Sequence, residues 1–188
     1  MADDPVGIAA DPRLGELASR LQATCLRRRL MLGLAESCTG GLVAAALTAI
    51  PGSSGYLLGS VVSYADAAKR DLLGVDPALL DAHGAVSAQV ARAMAVGARE
   101  RLGADLAASV TGIAGPDGGS VAKPVGLTYL GVADAAGVDV RRVVWSGDRA
   151  ANRLDSAVAI LELLLERLGE AGERPPSEEP IRAGAPGR

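Results

Sequence analysis

The sequence has no phenylalanine, and one tryptophan and three tyrosines leave aromatic residues at 2% of its 188 residues. Single-stranded nucleic acid is held by rings stacked along a basic groove. Here the rings are missing and the net charge is −3, so no nucleic-acid surface is expected. The short basic run Arg27, Arg28, Arg29 reads as the solvated end of a helix. Cysteine is equally scarce: Cys25 and Cys38 cannot build the disulfide framework of a small secreted domain. The single histidine, His83, cannot supply a zinc cluster, so no metal is expected. Long hydrophobic runs are also lacking. Gly, Ser or a charge breaks each one before the roughly 18 residues that a membrane span needs, and the start MADDPVGIAADP has no basic signal pattern. A cytoplasmic protein with no membrane association is expected.

What the chain does contain is apolar residues, 49% of the total, with a mean hydropathy of +0.24, enough for one domain with a substantial core. That domain is expected over residues 12–168. A mobile leader (1–11) precedes it, and a disordered tail (169–188) follows, with Pro175, Pro176, Pro180 and Pro186 set among charges. Leu14, Leu17, Ala18, Leu21 and Cys25 share one helix face. Residues 30–34, 56–64 and 105–113 read as strands, and 125–133 and 138–145 as a hairpin with a longer loop around DAAG. Helices are expected over 67–73, briefly at DPALL, after an N-cap at Ser87, and from SGDR (146–149) onward. In the last of these, Leu154, Val158, Leu161, Leu165 and Leu168 form an apolar stripe. The alternation predicts an α/β fold, a three-layer α/β/α sandwich around a mixed sheet. Ligands in such folds gather at the carboxyl ends of strands, where segments 36–41, 64–69, 112–123 and 146–149 all fall.

The densest signal is MLGLAESCTGG (31–41), where a buried strand ends in Glu36, Ser37, Cys38 and Thr39, and two glycines open a helix carrying Leu42, Val43, Ala46, Leu47 and Ile50. Free N–H groups at a helix start suit an anion or a developing oxyanion. A Ser or Thr N-cap with glycines for close packing explains the same residues equally well. As a nucleophile Ser37 needs a base, and no histidine stands in a triad-like context, which leaves a lysine kept neutral by burial. Lys69, just past the strand end at Tyr64, is the best placed, and a phenol there can pass protons in either direction. The plainer reading makes Tyr64 a tether and Lys69 an exposed helix residue. Ser-x-x-Lys is absent at Ser37, the spacing from Tyr64 to Lys69 is not Tyr-x-x-x-Lys, and the 112–123 loop fits no phosphate-loop or dinucleotide pattern.

Five ordered motifs, AESCTGG (35–41), PGSSGYLLGSVVSYADAAKRDLLGV (51–75), HGAVS (83–87), TGIAGPDGGSVAKPVG (111–126) and GDR (147–149), resemble the CinA carboxy-terminal family. Its members hydrolyse nicotinamide mononucleotide to nicotinate mononucleotide and ammonia. The resemblance runs from about residue 12 to 168 and implies the stand-alone amidohydrolase, without the amino-terminal domain of longer members. The family's catalytic serine, tyrosine and lysine fall on Ser37, Tyr64 and Lys69, which favours the catalytic reading of all three.

The resemblance further implies that Ser37 attacks the carboxamide carbon, that Lys69 with Tyr64 moves the proton, and that water hydrolyses the acyl-enzyme. Backbone N–H groups of Thr39, Gly40 and Gly41 are expected to hold the oxyanion. The phosphate is expected on Gly112, Gly115, Asp117, Gly118, Gly119 and Arg149. No cofactor is required, the partner is a pyridine nucleotide, and a homo-oligomer, a dimer, is expected. A non-catalytic nucleotide-binding or regulatory module is the alternative from a different class. A Cys38 amidase using His83 is disfavoured by the lone histidine and the missing third group.

Overall fold

Strand β1 (Leu32–Glu36) is buried along its whole length, as a central strand covered on both faces must be. Strands β2 (Leu57–Val62) and β3 (Leu106–Gly112) pair with it in parallel, and β4 (Leu127–Asp134) and β5 (Gly137–Val144) continue antiparallel, in the order β2-β1-β3-β4-β5. The computed structural model describes residues 11–170. Within them, α1 (Pro12–Arg28), α2 (Leu42–Thr48), α3 (Asp66–Leu73), α4 (Pro77–His83), α5 (Ala88–Leu102) and α6 (Arg149–Arg167) flank the sheet. This is the expected single-domain, three-layer α/β/α sandwich around a mixed sheet. The leader and tail lie outside the described residues except at their inner ends. There Asp11 caps α1 by accepting from the Arg13 N–H, and Glu170 pairs with Arg27 and Arg28. No helix of the described residues is long and apolar enough to cross a membrane.

Alternation along the strands makes two different cores. Leu32, Leu34, Leu106, Ala108, Val110, Leu130 and Val132 face α1, α2 and α6, where Leu14, Leu21, Leu47, Ile160 and Leu164 fill the space. On the other face the strands offer small residues, Gly33, Ala35, Ala107 and Gly131, beneath Val90, Met94 and Ala98 of α5. A Cβ on Gly33 would lie 2.9 Å from Leu102, and one on Gly131 2.9 Å from the Ala91 carbonyl. Helix α5 therefore lies close on the sheet.

The hairpin is tighter than its sequence suggests. Asp134 pairs with Gly137, leaving only Ala135 and Ala136 in the turn instead of a longer loop. The Asp134 carboxylate accepts from the N–H groups of Ala136 (2.8 Å) and Gly137 (3.2 Å). Arg167, reaching over from α6, hydrogen-bonds the same carboxylate and holds its pKa down at about 2. That long-range pair closes the turn.

One substitution made at two helical glycines should change stability in opposite directions. Gly15 in α1 has nothing within 4 Å of an added Cβ, so Gly15→Ala should stabilise, by about 0.5–1 kcal/mol. At Gly97 in α5 the Cβ would sit 1.9 Å from the Leu73 carbonyl oxygen, so Gly97→Ala should destabilise, by about 1–3 kcal/mol. Urea unfolding midpoints check both. Stabilisation of both variants would contradict the close approach of α5 to the end of α3.

Candidate active site

The site grows from three parallel strand ends. Glu36 is in register with Val62 of β2 and Val110 of β3, so the segments that follow leave the sheet side by side. The Ser37 N–H donates to the Val110 carbonyl (2.9 Å) and the Ser63 N–H to the Glu36 carbonyl (2.8 Å), extending the pairing one residue beyond the strands. The chain then turns sharply into α2 through Gly40 (φ 63°) and Gly41 (φ 93°), conformations that a Cβ disfavours. Ser37 rides on this strand-to-helix turn.

Lys69, on α3, is 1% exposed, so it is not the exposed helix residue that its sequence equally allowed. Its Nζ lies 2.9 Å from the Ser63 carbonyl oxygen, 3.1 Å from the Tyr64 carbonyl oxygen and 3.3 Å from Ser37 Oγ. Carbonyls only accept, so they take two N–H bonds. The third direction meets a hydroxyl, which accepts from an ammonium or donates to the lone pair of a neutral amine. Burial pushes the Lys69 pKa below the usual 10.5, against the opposing pull of Asp66, whose carboxylate is 3.8 Å away at the exposed rim. A lowered pKa and a serine hydroxyl at contact distance are what a general base requires.

Tyr64 is placed differently from the expected relay. Its backbone carbonyl, not its phenol, meets Lys69, and the ring is 59% exposed with its hydroxyl accepting from Arg149 Nη2 at 3.1 Å. The β2–α3 connection turns its carbonyls inward, so Ser37 and Lys69 meet without an intermediary. Arg149 Nη1 also donates to the Gly115 carbonyl (2.8 Å), and one guanidinium thus joins Tyr64 to the glycine-rich loop. Asp117, Gly118 and Gly119 are exposed on that loop, whereas Gly112 is accounted for by packing. A Cβ on Gly112 would fall 2.6 Å from Thr128 Oγ1 and 3.1 Å from Cys38 Sγ.

The oxyanion expectation needs correction at two positions. The Gly40 N–H donates to the Ser37 carbonyl (3.0 Å) and the Gly41 N–H to Glu36 Oε2 (2.9 Å), so neither is free. The N–H groups of Cys38 and Thr39 donate to no oxygen among the described residues. Thr39 Oγ1 and Ser63 Oγ are likewise buried and without a partner among the described residues. A Cys38 and His83 pair does not form. Burial pushes the Cys38 thiol up to about 12, while His83 is exposed at the end of α4 and held through its carbonyl by Lys123.

Three residues that the sequence did not single out as functional hold the site together. Glu36 receives the start of α2. Asn152, 2% exposed, accepts from the Gly147 N–H (3.0 Å) and donates to the Ala114 carbonyl (3.0 Å), locking two of the expected ligand loops to each other. Arg153 donates to the Thr39 carbonyl at 2.9 Å. Their only local signal was the position of Asn152 and Arg153 one turn into a helix that opens at an expected ligand segment.

A family model for the CinA C-terminal domain matches residues 14–168. A CinA-like protein of Geobacter sulfurreducens is 57% identical over 139 residues, which is 74% of this chain and 34% of that protein. One of Mycobacterium marinum is 50% identical over 159 residues, 84% of this chain and 36% of that protein. The chain thus spans about a third of the length of these relatives. Among solved structures, the competence/damage inducible protein CihA of Agrobacterium tumefaciens superposes with a TM-score of 0.81 at 44% identity, over 84% of this chain and 96% of that one. A CinA superfamily protein of Klebsiella pneumoniae gives 0.80 at 33% identity, over 83% and 98%. With five motifs in order, a matching fold and a family model over most of its length, the chain belongs to the CinA C-terminal domain family.

Proposed function

We propose that this protein is a nicotinamide-nucleotide amidohydrolase, converting nicotinamide mononucleotide and water to nicotinate mononucleotide and ammonia. The observation that carries the reading is the direct Ser37–Lys69 contact around a buried amine. Neutral Lys69 takes the Ser37 proton as Oγ attacks the carboxamide carbon. The resulting ammonium returns the proton to the nitrogen, which leaves as ammonia. Water then attacks the acyl ester, its proton passing through Lys69 back to Ser37 Oγ. The N–H groups of Cys38 and Thr39, which have no oxygen partner among the described residues and face only the Cys38 sulfur, are the donors for the oxyanion, replacing Gly40 and Gly41 in that role. Arg149, with the loop backbone at Gly115, Asp117, Gly118 and Gly119, is assigned to the phosphate, and Tyr64 to the wall between phosphate and amide. A cytoplasmic homodimer acting in pyridine-nucleotide salvage is part of the same proposal, and no metal or cofactor enters the steps.

Ammonia release from nicotinamide mononucleotide, measured with and without EDTA, is the primary test, and equal rates are expected. Binding without any ammonia release would favour the non-catalytic nucleotide-binding module instead. Because charge-assisted contacts are about twice as strong as neutral ones, Arg149→Ala should raise KM for the mononucleotide far more than for the riboside. Equal effects on the two substrates would remove Arg149 from the phosphate.

The base must be neutral to act, so the rate should rise with pH through a group titrating below 10.5. Lys69→Arg, which cannot deprotonate, should lose about 10²–10⁴-fold in kcat while staying folded. Near wild-type turnover in that variant would eliminate Lys69 as the base.

Cys38→Ala should keep turnover within several-fold of wild type, whereas Ser37→Ala should lose nearly all of it. The reverse pattern in folded variants would move the nucleophile to sulfur.

A further inference from the structure

The helix start that the sequence marks for an anion already holds one, and it belongs to the chain. Glu36 is 1% exposed at the end of β1, and its carboxylate folds forward over the turn that follows it. Its Oε2 accepts from the N–H groups of Gly41 (2.9 Å) and Val43 (3.2 Å). Its Oε1 accepts from the Ala44 N–H (2.9 Å) and from Ser60 Oγ (3.1 Å) on β2. Two oxygens with four donors are fully used, so no ligand competes for these N–H groups at low cost. The backbone of Glu36 is fixed in the sheet while its side chain is fixed to α2, and residues 37–40 are the short loop closed between those two anchors. From the outer side Arg153 grips the Thr39 carbonyl.

We propose that Glu36 is a positioning residue for the reaction of Ser37. By tying residues 41, 43 and 44 back to the strand end, it sets where Ser37 Oγ stands relative to Lys69 Nζ and leaves the Cys38 and Thr39 N–H groups without an oxygen partner in the turn. The proposal rests on Ser37 being the nucleophile and is independent of which amide is hydrolysed. Its effect is geometric: a displacement of about 1 Å at a reacting atom costs about 10²-fold in rate. A carboxylate that merely stabilised the start of α2 would alter the melting temperature and the active fraction, but not the rate constant of the molecules that remain folded.

The test is labelling of Ser37 by an alkyl fluorophosphonate, in which the Ser37 Oγ–P bond forms, fluoride leaves with the P–F electron pair, and Lys69 takes the serine proton. Rates are measured against probe concentration, so that the limiting rate and half-saturation separate, and are corrected for the folded fraction by circular dichroism. Glu36→Gln keeps the size but sets an NH₂ group against N–H donors. It should lower the limiting rate about 10–100-fold with half-saturation unchanged. Ser60→Ala, half-buried on an edge strand and expected to fold, removes one donor to Oε1 and should lower the limiting rate several-fold. A wild-type limiting rate in either folded variant overturns the proposal. Wild-type protein that is labelled at Ser37 but releases no ammonia from nicotinamide mononucleotide would refute the substrate and leave the Glu36 comparison valid. Unlabelled wild type would overturn both readings, through Ser37 itself.

Discussion

The constraint on which the site depends is the burial of a lysine amine with no buried carboxylate within ion-pair distance of it among the described residues. Removing an ammonium from water is costly unless it is paired, and around Lys69 Nζ the fold supplies two carbonyl oxygens and a serine hydroxyl. Asp66 stands 3.8 Å away at an exposed rim, where solvent weakens its pull. Such surroundings orient the amine firmly while giving its charge little support, which is why burial dominates and the pKa falls. A carboxylate in place of one carbonyl would hold the ammonium and raise the pKa of the amine.

Positive charge is also fixed around the site. Arg149 and Arg153, one turn apart on α6, supply it from the opposite wall, and both are committed to oxygen atoms of the site's own loops. Glu36 offsets the unpaired N–H groups of α2 from within the core. The charges of the site are thus distributed over fixed backbone dipoles, an arrangement that does not need to reorganise as charge develops.

The fold was readable because its signals are local and periodic. A continuous apolar run marked β1, the 3.6-residue stripe of Leu154, Val158, Leu161 and Leu165 marked α6, and the segments DPALL and SGDR and an N-cap at Ser87 marked helix starts, where Asp76, Ser87 and Asp148 prove to be the caps. The site was readable only to the level of candidate residues, because Ser37 and Lys69 are 32 positions apart and their contact depends on the register of β1 against β2. Tyr64 shows the limit clearly. Its side chain and its carbonyl serve different partners, and no sequence pattern distinguishes a residue that offers its backbone from one that offers its hydroxyl. The role of Glu36 was hidden for a related reason: the sequence places it in the turn, but its four donors come from later in the chain.

The same electrostatics bear on stability, and in the same pH direction at the site and in the scaffold: as pH rises, a cost is removed at Lys69 and a gain is made at Asp134. A lysine whose folded pKa lies below its unfolded value binds fewer protons in the folded state, so its burial weakens the fold at low pH. That cost is relieved as pH rises from the depressed folded value towards 10.5. Asp134 shifts stability in the same direction with pH, through a gain rather than a relieved cost. Its folded pKa of about 2 lies below the usual 3.8, so the contribution of its pair with Arg167 is complete above 3.8 and is lost as pH falls through about 2. Falling pH therefore weakens the fold at both places, first by charging the buried amine and, near the acid end, by protonating the carboxylate that closes the hairpin. A fold that gains stability as Lys69 loses its proton does not set its own stability against the neutral amine that the proposed base role requires.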